Sequence, residues 1–455
     1  MPTDYEKILT QSPWLLEKEA IKRDVHIQKL NEMQVVFRFN DFLEYRFEDG
    51  VYIVTGLRQI GKTTLLKMFV RENITKYPHS NFLYFNCDLL DSRQDIFEIV
   101  RTYLSKIAEK NSRIFIMLDE ITSVRDGFIA VKALVDSGNK KKITYILAGS
   151  STINVKRTGE YLPGRRGKGI DFVMFPVTFE QYLKTRYPKI DFSISIETID
   201  RDKMRISGKI DLQKELDLYL VHGGIPMVIN DCIKNGTIGE EIFETYRSWI
   251  SSETAKAEKK EHIVKGILQR SINTLSSDTS YNAFVQELNI GSHNTIYDYV
   301  DFLERSFILF QVFHYDINSK KINYRKNKKF YFVDPFVYAL CDKWLGAKQL
   351  QDFSFLNNSI LKSRLIENLV YLKLKGHFND VYYFSNSFEI DFVINTLLIE
   401  VKYQNKIVSD DYKGLVKKKG KRILVSKNDL SVSSEISIIP IELFLLLSNK
   451  YFSAP

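Results

Sequence analysis

A chain of 455 residues has room for about three domains, and 44% hydrophobic with 13% aromatic residues supplies large cores and excludes a disordered polymer. No apolar run approaches the ~18–20 residues of a membrane span, and no secretory leader opens the sequence, so no membrane role is expected. Cys87, Cys232 and Cys341 are scattered without a CxxC pair, and the histidines lack metal-binding spacing; disulfides and zinc are not expected, and a reducing, cytoplasmic setting fits. The formal charge of +9 favours a polyanion such as DNA. It gathers in three clusters. One holds Arg157, Arg165, Arg166 and Lys168. A second holds Lys320, Lys321, Arg325, Lys326, Lys328 and Lys329 around Tyr324. A third holds Lys417, Lys418, Lys419, Lys421 and Arg422.

Residues 1–44 read as a helical lead-in, with Trp14, Leu15, Ala20, Ile21 and Ile27 forming an apolar face that packs on the next domain. Residues 45–180 alternate strand and helix. Strands are predicted at 52–56, 82–88, 114–120, 144–150 and 171–175, a pattern that demands a parallel sheet covered on both faces. Between the first strand and the next helix lies Gly56-Leu57-Arg58-Gln59-Ile60-Gly61-Lys62-Thr63, followed by Thr64. This is a phosphate cradle. The two glycines let backbone N–H groups turn inward, Lys62 supplies a point charge for the outer phosphates, and the Thr63 hydroxyl is placed for Mg²⁺. ATP with Mg²⁺ is the ligand this pattern serves.

The third strand is wholly apolar until it ends in Asp119 and Glu120. Opposite a phosphate loop, Asp119 can hold Mg²⁺ through water, and Glu120 can orient and deprotonate an attacking water. The fourth strand ends at Ser150, where a small hydroxyl would sit beside the γ-phosphate.

Residues 181–259 read as helices broken by the turn Gly223-Gly224-Ile225-Pro226. Residues 260–325 give helix, glycine-bearing turn, second helix from His293 to Arg305, and then a strand, which fits a winged helix. Ser292 is a suitable N-cap for the second helix. The residues that helix exposes toward a groove, His293, Asn294, Thr295, Tyr297 and Asp298, include no Lys or Arg, so the basic cluster at 320–329 is the stronger DNA candidate.

Residues 326–455 form the last unit. A strand is predicted from Phe330, a helix over 361–374 containing Glu367, and a hairpin turning at Asn395-Thr396. That turn sets Asp391 opposite Glu400, with Lys402 on the same face and Ile390, Phe392, Ile399 and Val401 on the other. Facing carboxylates repel, and a divalent metal would relieve the repulsion while Lys402 steadies a water or phosphate.

The phosphate loop, IFIMLDE, ILAGSS, LPGRR and FPVTFE together resemble the AAA+-like ATPases of bacteria and archaea. Closest is the branch, related to the signal-transduction ATPases, that joins such a core to a winged helix and a nuclease-like end domain. The resemblance implies the sheet order 5-1-4-3-2, a helical lid after the core, Ser150 as a nucleotide sensor, and Arg165 as a contact to nucleotide in its own or a neighbouring subunit of a homo-oligomer. Arg166 is the alternative for that role. The hairpin resembles the PD-(D/E)XK nuclease core, which implies Glu367 as a further metal-binding acid and gives Gln404 a family position. The fold expected is therefore α/β: a P-loop parallel sheet, a helical lid with a winged helix, and an α/β restriction-endonuclease-like end. Two functions are consistent with it. One is an ATP hydrolase acting on DNA with metal-dependent cleavage. The other is an ATP-controlled signalling or assembly switch whose nuclease-like domain does not cut.

Overall fold

The apolar runs at 51–54, 82–85, 114–118 and 145–148 become strands of one parallel sheet. In the computed structural model, which describes residues 3–137, 142–149, 164–346 and 356–452, the chain divides into two units, Met1–Phe175 and Pro176–Pro455. In the first unit β1 (Gly50–Gly56), α1 (Lys62–Asn73), β2 (Phe82–Asn86), α2 (Arg93–Lys106), β3 (Ile114–Asp119), α3 (Gly127–Asp136), β4 (Ile143–Gly149) and β5 (Asp171–Met174) succeed one another. All the pairings are parallel and the order is β2-β3-β4-β1-β5, the expected order read from the other edge. β1, β3 and β4 are buried almost throughout because helices cover both faces.

The lead-in covers the exposed edge of this sheet. The Ser12 hydroxyl donates to the Tyr84 carbonyl (2.7 Å) and accepts from its N–H (2.9 Å), and the Trp14 indole donates to the Phe82 carbonyl (2.8 Å). β2 therefore spends its outer hydrogen-bonding groups internally instead of offering them to another chain. Buried Lys67, on α1, ties the arm down through Asp24 at 2.9 Å. The helical lead-in consists of helices at Asp4–Gln11 and Val25–Glu32 with 3₁₀ turns between them, and a short turn of helix at Asn40–Leu43.

The second unit begins with helices, among them α4 (Leu212–His222) and α5 (Pro226–Asn235), joined by the glycine turn. Asp334 clamps that turn: its carboxylate accepts from Gly224 N–H (2.6 Å) and Phe336 N–H (2.8 Å). A Cβ on Gly223 (φ 64°) would lie 1.9 Å from Asp334 Oδ1, so glycine is required there. Then come α6 (Tyr281–Leu288) and α7 (His293–Arg305), the latter capped by Ser292 with Ile296, Val300 and Leu303 buried. β6 (Leu309–Asp316), β7 (Lys321–Phe332), α8 (Pro335–Trp344), α9 (Ser359–Lys375), β8 (Tyr382–Ser385), β9 (Glu389–Ile394), β10 (Leu397–Lys402), β11 (Lys421–Ser426), β12 (Ser431–Val432) and β13 (Ser437–Pro440) complete it.

One mixed sheet, β12-β13-β11-β10-β9-β8-β6-β7, contains all eight of these strands. The strand expected to begin at Phe330 is the second half of β7, so a single element crosses residue 325 and a single sheet includes the hairpin after α7. Among the described residues no helix is long and apolar enough to cross a membrane.

Candidate nucleotide site and a buried acid cluster

The phosphate loop joins β1 to α1. Gly56 has φ 153° and passes so close to β5 that a Cβ would stand 2.4 Å from the Met174 carbonyl. Gly61, at φ 106°, caps α1, and Gln59 between them also has positive φ (63°). Leu57 and Ile60 are buried and anchor the loop, while Arg58 is half-buried and Gln59 exposed. Successive N–H groups and the α1 N-terminus make an anion-binding end.

Lys62 donates to the carbonyls of Gly56 and Leu57, both at 3.1 Å. Thr63, in the first turn of α1, donates its hydroxyl to Asp119 Oδ2 at 2.6 Å, and Tyr84 donates to the same oxygen at 2.9 Å. The strand-end acid and the loop threonine, 56 positions apart, are thus brought together. A hydroxyl beside a carboxylate is an all-oxygen donor pair of the kind Mg²⁺ takes, so Thr63 and Asp119 fit that ion. Glu120, the next residue, has left-handed backbone (φ 48°). Burial pushes its carboxyl pKa upward, against the opposing pull of Lys62. A raised pKa suits a proton acceptor.

Ser150 lies outside the described residues, as do Leu162 and Pro163 of the LPGRR stretch. Arg165 lies beside the start of β1. It forms a two-pronged ion pair with Asp136 (2.7 and 2.8 Å) at the end of α3, and the neighbouring Arg166 carbonyl accepts from Val51 N–H at the start of β1. The phosphate loop leaves the other end of β1, about 20 Å away at the usual strand rise. Arg166 pairs with Asp171.

The second constellation sits in the large sheet. The β9–β10 hairpin turns at Asn395-Thr396 in the expected register, with Ile394 opposite Leu397, Val393 opposite Leu398 and Phe392 opposite Ile399. The simple alternation of faces fails at Asp391. Tyr382 pairs with Val393 and Phe384 with Ile390, so Asp391 and Phe392 together oppose the single residue Tyr383. This bulge swings Phe392 against Tyr331 and Tyr371 (ring centroids 5.6 and 6.2 Å), while Ile390 and Val393 join Leu398 and Leu424 in a different cluster. It also frees Val401 N–H, which donates to Asp391 Oδ2 at 2.9 Å.

Lys329, on β7, reaches into this bulge. Its ammonium lies 2.8 Å from Asp391 Oδ1, 3.1 Å from Glu367 Oε1 on α9 and 2.6 Å from Glu389 Oε1, and its side chain is wholly buried. Tyr331 donates to the same Glu367 oxygen at 2.6 Å. Glu400 Oε1 pairs with Lys402 at 2.7 Å, and Glu400 Oε2 is buried without a hydrogen-bond partner among the described residues. Burial, then the Asp391 charge, pushes Glu367 up to about 7 and Glu400 up to about 8. The carboxylates hold Lys329 well above the ordinary lysine value despite its burial.

Glu367, Asp391 and Glu400, the acids expected to hold a metal, lie around this lysine and Lys402. A lysine bridges the first two acids, and among the described residues no three acids, histidines or cysteines are grouped to hold an ion. Gln404 spends its amide on the Lys406 carbonyl and Asp411.

Lys329 must accordingly be removed from the basic, DNA-facing cluster in which its sequence neighbours place it. Lys328 is also buried and donates to the Tyr324 and Lys326 carbonyls. Lys320, Lys321, Arg325 and Lys326 are exposed. The signal that sets Lys329 apart in the sequence is its place at the head of the apolar run FYFV.

Residues 48–183 match the model of the AAA domain family, and residues 213–348 match that of a domain of unknown function. An uncharacterized protein of Methanocaldococcus jannaschii is 25% identical over 423 residues, covering 88% of this chain and 85% of that protein. One of Haemophilus influenzae is 25% identical over 398 residues, 83% of this chain and 84% of that protein. Among solved structures, that of the Aeropyrum pernix ORC1 protein in complex with DNA aligns over 73% of this chain and 96% of its own, at 14% identity and a TM-score of 0.30. Over residues 48–183 the chain is therefore similar to AAA domains, and the phosphate loop and the order of the five parallel strands agree with an AAA+-like P-loop fold there.

Proposed function

We propose that this chain binds and hydrolyses ATP with Mg²⁺ at the loop Gly56–Thr64 and uses the turnover to act on DNA. The observation that carries the reading is the 2.6 Å contact between Thr63 and Asp119, beside Lys62 and one residue from Glu120. Lys62 exchanges its two carbonyl partners for phosphate oxygens, a replacement of dipoles by charge. Thr63 and Asp119 hold Mg²⁺, which neutralises phosphate charge when bound. Glu120 accepts the proton of the attacking water. Ser150 is assigned as the γ-phosphate sensor. In a homo-oligomer, Arg165 or Arg166 would serve a neighbour's nucleotide only after leaving Asp136 or Asp171.

DNA is assigned to the groove lined by Tyr281, His293, Tyr297, Tyr324, Arg325 and Lys328. Tyr297 and Tyr324 are exposed there, and Lys320, Lys321 and Lys326 extend the positive charge, a combination that suits backbone contact with base stacking. A cytoplasmic location accords with three cysteines that are all free and buried.

A second reading is favoured by Lys329: an ATP-controlled assembly switch in which the nuclease-like part, with its Asp391, Glu400 and Lys402, does not cut. The two readings separate in one experiment. ATP hydrolysis is measured with and without linear, circular and single-stranded DNA, and particle mass is measured with and without ATP. Work on DNA requires DNA-stimulated hydrolysis. A switch requires an ATP-dependent change in mass with little stimulation. Lys62→Ala should lower turnover at least about 100-fold in either case; turnover unchanged in that variant would remove the nucleotide assignment itself.

A further inference from the structure

We infer that Lys329 is the resident cation of the acid cluster in the second unit and stands where a divalent metal ion would have to bind. A metal held by Glu367 and Asp391 must come within about 2.0–2.6 Å of an oxygen of each. The Lys329 ammonium already lies between those carboxylates, 3.1 Å from Glu367 Oε1 and 2.8 Å from Asp391 Oδ1, and the space cannot contain both cations. Two oxygens of these carboxylates have further partners. Glu367 Oε1 accepts from the Tyr331 hydroxyl as well, and Asp391 Oδ2 takes the Val401 N–H that the bulge frees.

Lys329 cannot swing out as a surface lysine would. It sits within the paired part of β7, opposite Val312, and its side chain has no solvent exposure. Withdrawing it would strand Glu367 and Asp391 without their shared counter-charge, a configuration that buried carboxylates resist. The acids are then retained for their lysine, which joins β7, α9 and β9 at one point. Metal-dependent strand cleavage has no ion here to work with.

This inference is independent of the nucleotide reading, and its test avoids nucleotide. Mn²⁺ binding to the full chain is followed by electron paramagnetic resonance in an Asp119→Asn background, which removes the metal-holding carboxylate of the ATP site. No saturable Mn²⁺ site below about 1 mM is expected. A site that appears there and disappears in Asp391→Asn or Glu400→Gln would overturn the inference. Lys329→Met, similar in length and uncharged, should gain one Mn²⁺ site that Asp391→Asn removes again. A folded Lys329→Met chain, checked by circular dichroism, that gains no site would equally overturn it. Should that variant fail to fold, the titration of the Lys329-containing chain still decides.

Discussion

Both polar constellations set a lysine among carboxylates at the margins of a sheet, yet they hold it in opposite ways. Lys62 donates to the Gly56 and Leu57 carbonyls, neutral dipoles that a triphosphate can outbid. Lys329 is ringed by Glu367, Glu389 and Asp391. Interaction between full charges in a buried setting far exceeds that between a charge and a dipole, so this lysine is not exchangeable. The difference is between a lysine hydrogen-bonded to two carbonyls and a lysine held by three carboxylates. Residue types alone do not make that distinction, since both sites consist of Lys, Asp and Glu.

The comparison breaks if removing a carboxylate has the same consequence in both places. Glu120→Gln should lower ATP turnover by about 10²–10⁴-fold with ATP binding and melting temperature nearly intact, as measured by single-turnover hydrolysis and nucleotide binding. Glu367→Ala should do the reverse. It leaves Lys329 undercompensated and Tyr331 without its acceptor, at about 3–5 kcal/mol of stability in urea unfolding, while turnover per folded molecule is preserved. A Glu367→Ala chain as stable as the parent would mean that Lys329 is not held as described.

A smaller effect concerns Asp334, the clamp on the glycine turn. Burial pushes its carboxyl up to about 7 although two N–H groups donate to it. The folded unit therefore holds this proton more tightly than the unfolded chain, whose aspartate titrates near 4. Its stabilising share is complete below about 4 and is lost as pH rises through about 7. Glu367 and Glu400 act with the same sign, so unfolding followed by tryptophan fluorescence should become easier between pH 5 and 8. Asp334→Asn should flatten part of that slope; an undiminished slope would transfer the whole effect to the two glutamates.

The first unit is legible in the sequence because its signals are local. Five apolar runs become five strands, and the loop between the first strand and helix names its own chemistry through glycine, lysine and threonine. Even the contact of Thr63 with Asp119 is a consequence of two strands ending at one edge of a parallel sheet. In the second unit the hairpin register is readable from Asn395-Thr396, but the bulge at Asp391 is not. It depends on how β8 pairs with β9, a long-range matter on which the two-residue period is silent. Lys329 misleads for a related reason. Beside Lys328 and Lys326 it looks like part of a charged surface, and only the apolar residues after it hint that the strand has turned inward. The pairing of Arg165 with Asp136 beside the start of β1 is likewise set by topology and has no local signal.

The path of β7 has a consequence for heredity. Its first half forms a hairpin with β6 after the helix pair, and its second half delivers Lys329 and Tyr331 to the acids of α9 and β9. Recombination at residue 325 would divide a strand and separate the lysine from the preceding half of its hairpin. A lineage that kept the part after residue 325 without β6 would retain Lys329 beside its acids but lose Val312 and the strand that lies opposite it. The two parts are expected to travel through genomes together, with substitutions at position 329 tracked by changes at 367 and 391.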